Sequence, residues 1–139
     1  MRPGGVTPGA WRAGQGAVAL LAAGLSSGCT RAAIDRPPLD VAWTLSPAAA
    51  VVGPATLTVT LRGPAGDAVR TATVHLEGHM SHPGMAPIVA AAQERAAGVY
   101  ELPFAFTMAG DWTLIVSVVL PGGAQVERRI TVANVRPSG

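Results

Sequence analysis

From Asp40 onward the chain consists of short segments in which apolar and polar residues alternate, separated by turns rich in glycine and proline. Alternation places every second side chain on one face, which is typical of a β-strand with one buried face. The segments follow one another at the spacing expected of an all-β sandwich. After the first 28 residues, no segment has the period of an amphipathic helix.

This pattern predicts seven strands in an immunoglobulin-like, antiparallel β-sandwich. Five aromatic side chains fall at strand positions and are expected in the core: Trp43, Tyr100, Phe104, Phe106 and Trp112. The predicted strands are residues 41–45, 57–61, 69–77, 87–93, 99–106, 112–119 and 125–135.

The first 28 residues have the features of a secretory signal peptide. Residues 1–12 carry two arginines and no acid, residues 17–25 are apolar, and small residues precede Cys29. The apolar run is too short to span a bilayer. Residues 25–29, LSSGC, resemble a bacterial lipobox, which implies cleavage before Cys29 and lipidation of its thiol. The alternatives are an ordinary signal peptide that releases a soluble secreted or periplasmic protein, and a leader that stays uncleaved as an anchor.

The organisation expected from this leader is a signal peptide over residues 1–28, a tether over residues 29–39 and a sandwich domain over residues 40–139. The tether contains Pro37 and Pro38, so we expect it to be semi-extended. The predicted location is the periplasmic side of the cell envelope, with a lipid anchor holding the domain at a membrane.

Charge and cysteine content exclude several classes of function. The formal net charge is +2, and all ten basic residues are arginines. Removal of Arg2 and Arg12 with the leader leaves eight arginines against eight acidic residues, so no basic surface for nucleic acid is expected. The single cysteine, Cys29, excludes an internal disulfide and a zinc site made of several cysteines.

The histidines and methionines are concentrated in one short stretch. It contains all three histidines, His75, His79 and His82, together with Met80 and Met85. Glycine and proline at positions 78, 83, 84 and 87 predict a loop over residues 78–85. Methionines in such a loop have no evident role in core packing.

This set of side chains favours copper. Thioether sulfur is soft and uncharged and suits Cu(I), whereas imidazole binds both oxidation states of copper. The predicted ligands are His79, Met80, His82 and Met85, with Cu(I) favoured. His75 and Glu77 precede them on one strand face as further ligands or as partners that orient a ligand. For Met108, in another connection, a packing role is expected.

Three segments together resemble the YtkA-like domain, a family related to FixH-type proteins: residues 79–85 (HMSHPGM), 98–100 (GVY) and 104–114 (FAFTMAGDWTL). The resemblance extends over residues 57–132. It implies an exported β-sandwich that takes part in copper handling, with a cytochrome oxidase or another cuproprotein assembly factor as a partner. Unlike FixH-type proteins, the chain has a lipoprotein-like leader in place of a clear membrane helix.

Two functions therefore follow from the sequence. The first is an exported copper-binding lipoprotein that binds, buffers or delivers the ion. The second is a structural or interaction module of the envelope, in which the His/Met-rich segment is a contact surface. Catalysis is not expected, because Ser81 lies too close in sequence to His79 and His82 to form a nucleophile–base arrangement.

Overall fold

The computed structural model describes residues 38–139. The predicted signal peptide, the predicted lipidation site Cys29 and most of the predicted tether lie outside these residues. Within the described part, no helix is long and apolar enough to cross a membrane.

The described residues form eight antiparallel strands in two four-stranded sheets, which confirms the predicted all-β sandwich. One sheet has the order β1-β2-β6-β5, and the other has the order β4-β3-β7-β8. The strands are β1 (Asp40–Ser46), β2 (Gly53–Arg62), β3 (Thr73–Met80), β4 (Ile88–Ala91), β5 (Gln93–Ala96), β6 (Val99–Phe106), β7 (Gly110–Val119) and β8 (Gln125–Val135).

The predicted fourth strand, residues 87–93, is in fact the point where the chain changes sheets. β4 pairs with β3, whereas β5 pairs with β6, and Ala92 lies between them. Alternation alone does not reveal this change, because a short apolar run fits either sheet. The predicted third strand is also shifted, since it begins at Thr73 and continues to Met80.

The core lies between the sheets and is built from aliphatic side chains around Tyr100, Phe106 and Trp112, which are at most 2% exposed. Leu39, the last residue of the predicted tether, is also buried. The expectation that Trp43 lies in the core is wrong, because its side chain is 45% exposed. Trp43 belongs to β1, an edge strand that has only β2 as a neighbour.

The sandwich has two ends that differ in chemistry. The connections 63–72, 97–98 and 120–124 lie at one end, which we call the charged end. The connections 47–52, 81–87 and 107–109 lie at the other end, which we call the donor end. These last three connections contain no aspartate, glutamate or arginine, whereas Asp67 and Arg70 lie in the first connection of the charged end.

At the charged end, Tyr100 attaches β6 to the connection 63–72. Its hydroxyl donates a hydrogen bond to the carbonyl of Val69 at 2.9 Å and accepts one from the amide of Ala72 at 3.0 Å. Burial raises the pKa of Tyr100 above its ordinary value, because the phenolate is poorly solvated there. The neutral hydroxyl is the form that makes both hydrogen bonds.

Glu94 holds the same connection from β5. Its carboxylate accepts hydrogen bonds from the amides of Thr71 at 3.0 Å and Gly98 at 3.2 Å. The guanidinium of Arg70 lies 3.7 Å away. The two backbone hydrogen bonds, and to a smaller extent Arg70, lower the pKa of Glu94 below its ordinary value.

Candidate metal site

The side chains of His75, Glu77 and His79 lie on the outer face of β3, alternating with the buried positions of that strand. His79 Nε2 lies 2.8 Å from Glu77 Oε1, and both side chains are about half exposed. His75 and Glu77 also line an open cleft of about 360 Å³ beside β4, next to Val89 and Ala91. The structure therefore brings His79 and Glu77 into direct contact.

The prediction that Gly78, His79 and Met80 belong to a loop is wrong, because all three are residues of β3. Gly78 has a packing role there. A Cβ atom at Gly78 would lie 2.5 Å from Cγ1 of Ile88 and 3.1 Å from Cδ2 of Leu114. Because Gly78 has no side chain, Ile88 packs directly over β3 at this position. The sequence alone does not distinguish such a strand glycine from a glycine in a turn.

Met80 lies on the inner face of β3, opposite Trp112 in the register with β7. It is half-buried and packs against the core, so the expectation that it has no packing role is wrong. A Cβ atom at Gly110 would lie 2.8 Å from the methyl carbon of Met80. The absence of a side chain at Gly110 therefore makes room for the thioether at the donor end.

The other two predicted ligands, His82 and Met85, lie in the connection 81–87 at the donor end. Both are exposed, Met85 to 39%. Ser81 begins this connection, and its amide and hydroxyl both donate to the carbonyl of Asp111, at 3.2 Å and 3.4 Å. The connection is therefore fastened to β7 at its first residue.

Asp111 is a residue whose role the sequence did not reveal. Its Oδ1 accepts a hydrogen bond from the amide of Asn134 at 2.8 Å, and Asn134 has a positive φ of 56°. The pairing of β7 with β8 shifts between Gly110 and Trp112, which is the mark of a β-bulge. Asp111 thus stabilises this bulge. In the sequence, the bulge is indicated by two residues that tolerate a positive φ, Gly110 on β7 and Asn134 on β8.

The four predicted ligands fall into two groups. His79 lies on the outer face of β3 with Glu77, whereas Met80 lies on the inner face, and His82 and Met85 follow in the connection. Among residues 38–139, no three histidine, cysteine or acidic side chains are grouped as a metal site. The donor end thus offers neutral sulfur and imidazole without carboxylates in its connections, which suits a soft monovalent ion better than Zn²⁺, Mg²⁺ or Ca²⁺.

Comparison with known proteins relates the chain to one family. The profile of the family described as YtkA-like matches residues 37–117. No curated protein matches the chain.

Among solved structures, the chain is similar to the Lin-41 filamin domain, with a TM-score of 0.52 and 19% identity over 73% of this chain and 94% of that one. The soluble domain of PmoD from a Methylocystis species has a TM-score of 0.46 at 13% identity, over 67% of this chain and 89% of that one. Murine CRIg has a TM-score of 0.42 at 12% identity, over 72% of this chain and 99% of that one. The likeness to the filamin domain shows the sandwich fold alone.

Proposed function

The chain belongs to the YtkA-like family, and from that premise we propose that it binds copper at the donor end and buffers or delivers the ion in the cell envelope. The proposed ligands are His79, Met80, His82 and Met85, with Cu(I) as the favoured ion. The observation that carries the proposal is the concentration of these neutral donors at an end whose connections contain no charged residue.

The exposure of His82 and Met85 supports a role in transfer. Both side chains are open to solvent, so a partner protein can replace them as ligands one at a time. Met80, which is packed against the core, supplies a donor that stays in place during such an exchange.

The contact between His79 and Glu77 supports His79 as a ligand. A metal-binding histidine usually donates its second ring N–H to a carboxylate or a carbonyl, which fixes the orientation of the ring. Glu77 Oε1 lies 2.8 Å from Nε2 of His79, so Nδ1 is left for the ion. In this arrangement Glu77 orients the ligand and does not bind copper itself.

The test is titration of the full chain with Cu(I) in competition with a chromogenic chelator. We expect stoichiometric binding that weakens at least about a hundredfold in the Met80→Leu/Met85→Leu double variant, since two donors are lost. Trp43→Phe, an exposed apolar change on β1 in the other sheet, is the control and should bind as the wild type does. If the wild-type chain does not bind Cu(I) at micromolar concentration, the proposal is wrong, and an interaction module of the envelope becomes the better hypothesis.

The proposed location has its own test. If Cys29 carries a lipid, a fatty-acid probe supplied to the producing cells should label the wild-type chain and fail to label Cys29→Ser. Equal labelling of both chains, or of neither, would contradict the anchor without bearing on copper.

A further inference from the structure

Met108 is the third methionine of the sandwich, and it lies at the donor end in the connection 107–109. Its side chain is 43% exposed, so the expected packing role is wrong. The exposed side chain gains little from burial. Met108 lies at the same end of the sandwich as Met80, His82 and Met85.

The backbone of Met108 is held in a defined position. Trp112 Nε1 donates a hydrogen bond to the carbonyl of Met108 at 3.0 Å. Trp112 is 1% exposed, and its ring packs edge-to-face against Phe106 with centroids 5.6 Å apart. A buried indole therefore fixes the connection while the Met108 side chain stays open to solvent, which is the arrangement that a pre-positioned ligand requires.

The thioether of Met80 reaches the start of β7 from the neighbouring strand β3 of the same sheet. Its methyl carbon lies against Gly110, two residues after Met108. Ser81, the first residue of the connection 81–87, is hydrogen-bonded to the carbonyl of Asp111, the residue after Gly110. The end of β3, the start of the connection 81–87 and the connection 107–109 therefore lie next to the first residues of β7.

We infer that Met108 is a further thioether ligand of the copper site, which makes that site rich in sulfur and selective for Cu(I). This inference rests on the proposed function. It gives Met80, the last residue of β3, and Met108, in the connection before β7, a shared role as ligands. Three thioethers with the imidazoles of His79 and His82 form a soft, neutral donor set, which favours Cu(I) over Cu(II) and over harder divalent ions.

The test is Cu(I) competition with the full chain and its Met108→Leu variant, combined with X-ray absorption of the copper-loaded proteins. Leucine keeps the volume of the side chain and removes the sulfur. We expect Cu(I) affinity to fall at least about tenfold and the number of sulfur neighbours per copper to fall by about one. Met108→Cys, which restores a soft sulfur, should recover most of the affinity, and Trp43→Phe, an exposed change in the other sheet, should change neither readout.

The outcomes separate this inference from the proposed function. If the wild type binds Cu(I) and Met108→Leu has the same affinity and the same sulfur count, Met108 is not a ligand, although the donor end still binds copper. If the wild type does not bind Cu(I), the proposed function and the inference fail together.

Discussion

The two ends of the sandwich use their polar and sulfur-containing side chains differently. At the charged end, Tyr100 and Glu94 are bound to the backbone of the connection 63–72, so their polar atoms take part in holding the fold together. At the donor end, His82, Met85 and Met108 are exposed, and no hydrogen bond or ion pair between residues 38–139 uses the side chain of His82. Substitutions of these particular side chains should therefore affect folding at the charged end and ligand binding at the donor end.

The largest expected effect on stability is that of Gly110→Ala, and Gly53→Ala is its matched control. Both glycines have similar positive φ values, 131° and 126°, but only a Cβ at Gly110 meets a neighbour, the methyl carbon of Met80. We expect Gly110→Ala to lower the free energy of unfolding by about 2–4 kcal/mol and Gly53→Ala by about 1–3 kcal/mol, since steric overlap adds to backbone strain.

Only Gly110→Ala should also weaken Cu(I) binding, because it displaces the thioether of Met80. Urea denaturation and Cu(I) competition measure the two effects separately. Equal Cu(I) affinities for the two variants would show that the contact between Met80 and Gly110 has no influence on the metal.

The next effect depends on pH and belongs to the charged end. Because the pKa of Glu94 is lowered in the folded chain, its contribution to stability is present above the ordinary glutamate value of 4.5 and is lost as the pH falls through the lowered value. Glu94→Gln should therefore destabilise the fold at pH 7 and much less at acidic pH. Urea denaturation at both pH values measures this difference, with the exposed Glu127→Gln as control. A pH-independent effect would contradict the role given to the carboxylate.

The smallest effect on stability is expected for Glu77→Gln. The contact of Glu77 with His79 is between two exposed side chains, so its loss should change the free energy of unfolding by less than about 1 kcal/mol. Cu(I) affinity should nevertheless fall several-fold, because His79 loses the carboxylate that orients it. Arg95→Gln removes a similarly exposed ion pair with Glu101 at the charged end and should leave Cu(I) affinity unchanged. Equal Cu(I) affinities for Glu77→Gln and Arg95→Gln would show that Glu77 does not orient a copper ligand.

The sequence predicted the fold well, because alternation directly determines which face of a strand is buried. It predicted which side chains of β2, β6 and β7 face the core. It also predicted membership in the YtkA-like family, which the comparison confirms. It did not predict the change of sheet at Ala92, because strand pairing depends on contacts between segments distant in sequence.

The candidate site was harder to predict than the fold. Gly78 was interpreted as a turn residue, yet it lies within β3 under Ile88, and this error placed Met80 in a loop. Composition identified the stretch that contains His79, His82 and Met85, but it gave no information on which face each side chain occupies. The sequence predicted a packing role for Met108, but its side chain is 43% exposed, and the pairing of β3 with β7 brings its connection to the same end.

The central claim is that copper binds at the donor end and leaves the charged end unchanged. Its most direct test is NMR of the methionine methyl groups, the histidine rings and the backbone amides during addition of Cu(I). We expect the methyl resonances of Met80 and Met85 and the ring of His82 to shift with about one equivalent of Cu(I), while the amides of Thr71 and Gly98 do not move. Shifts confined to the charged end, or no shifts at all, would contradict the account.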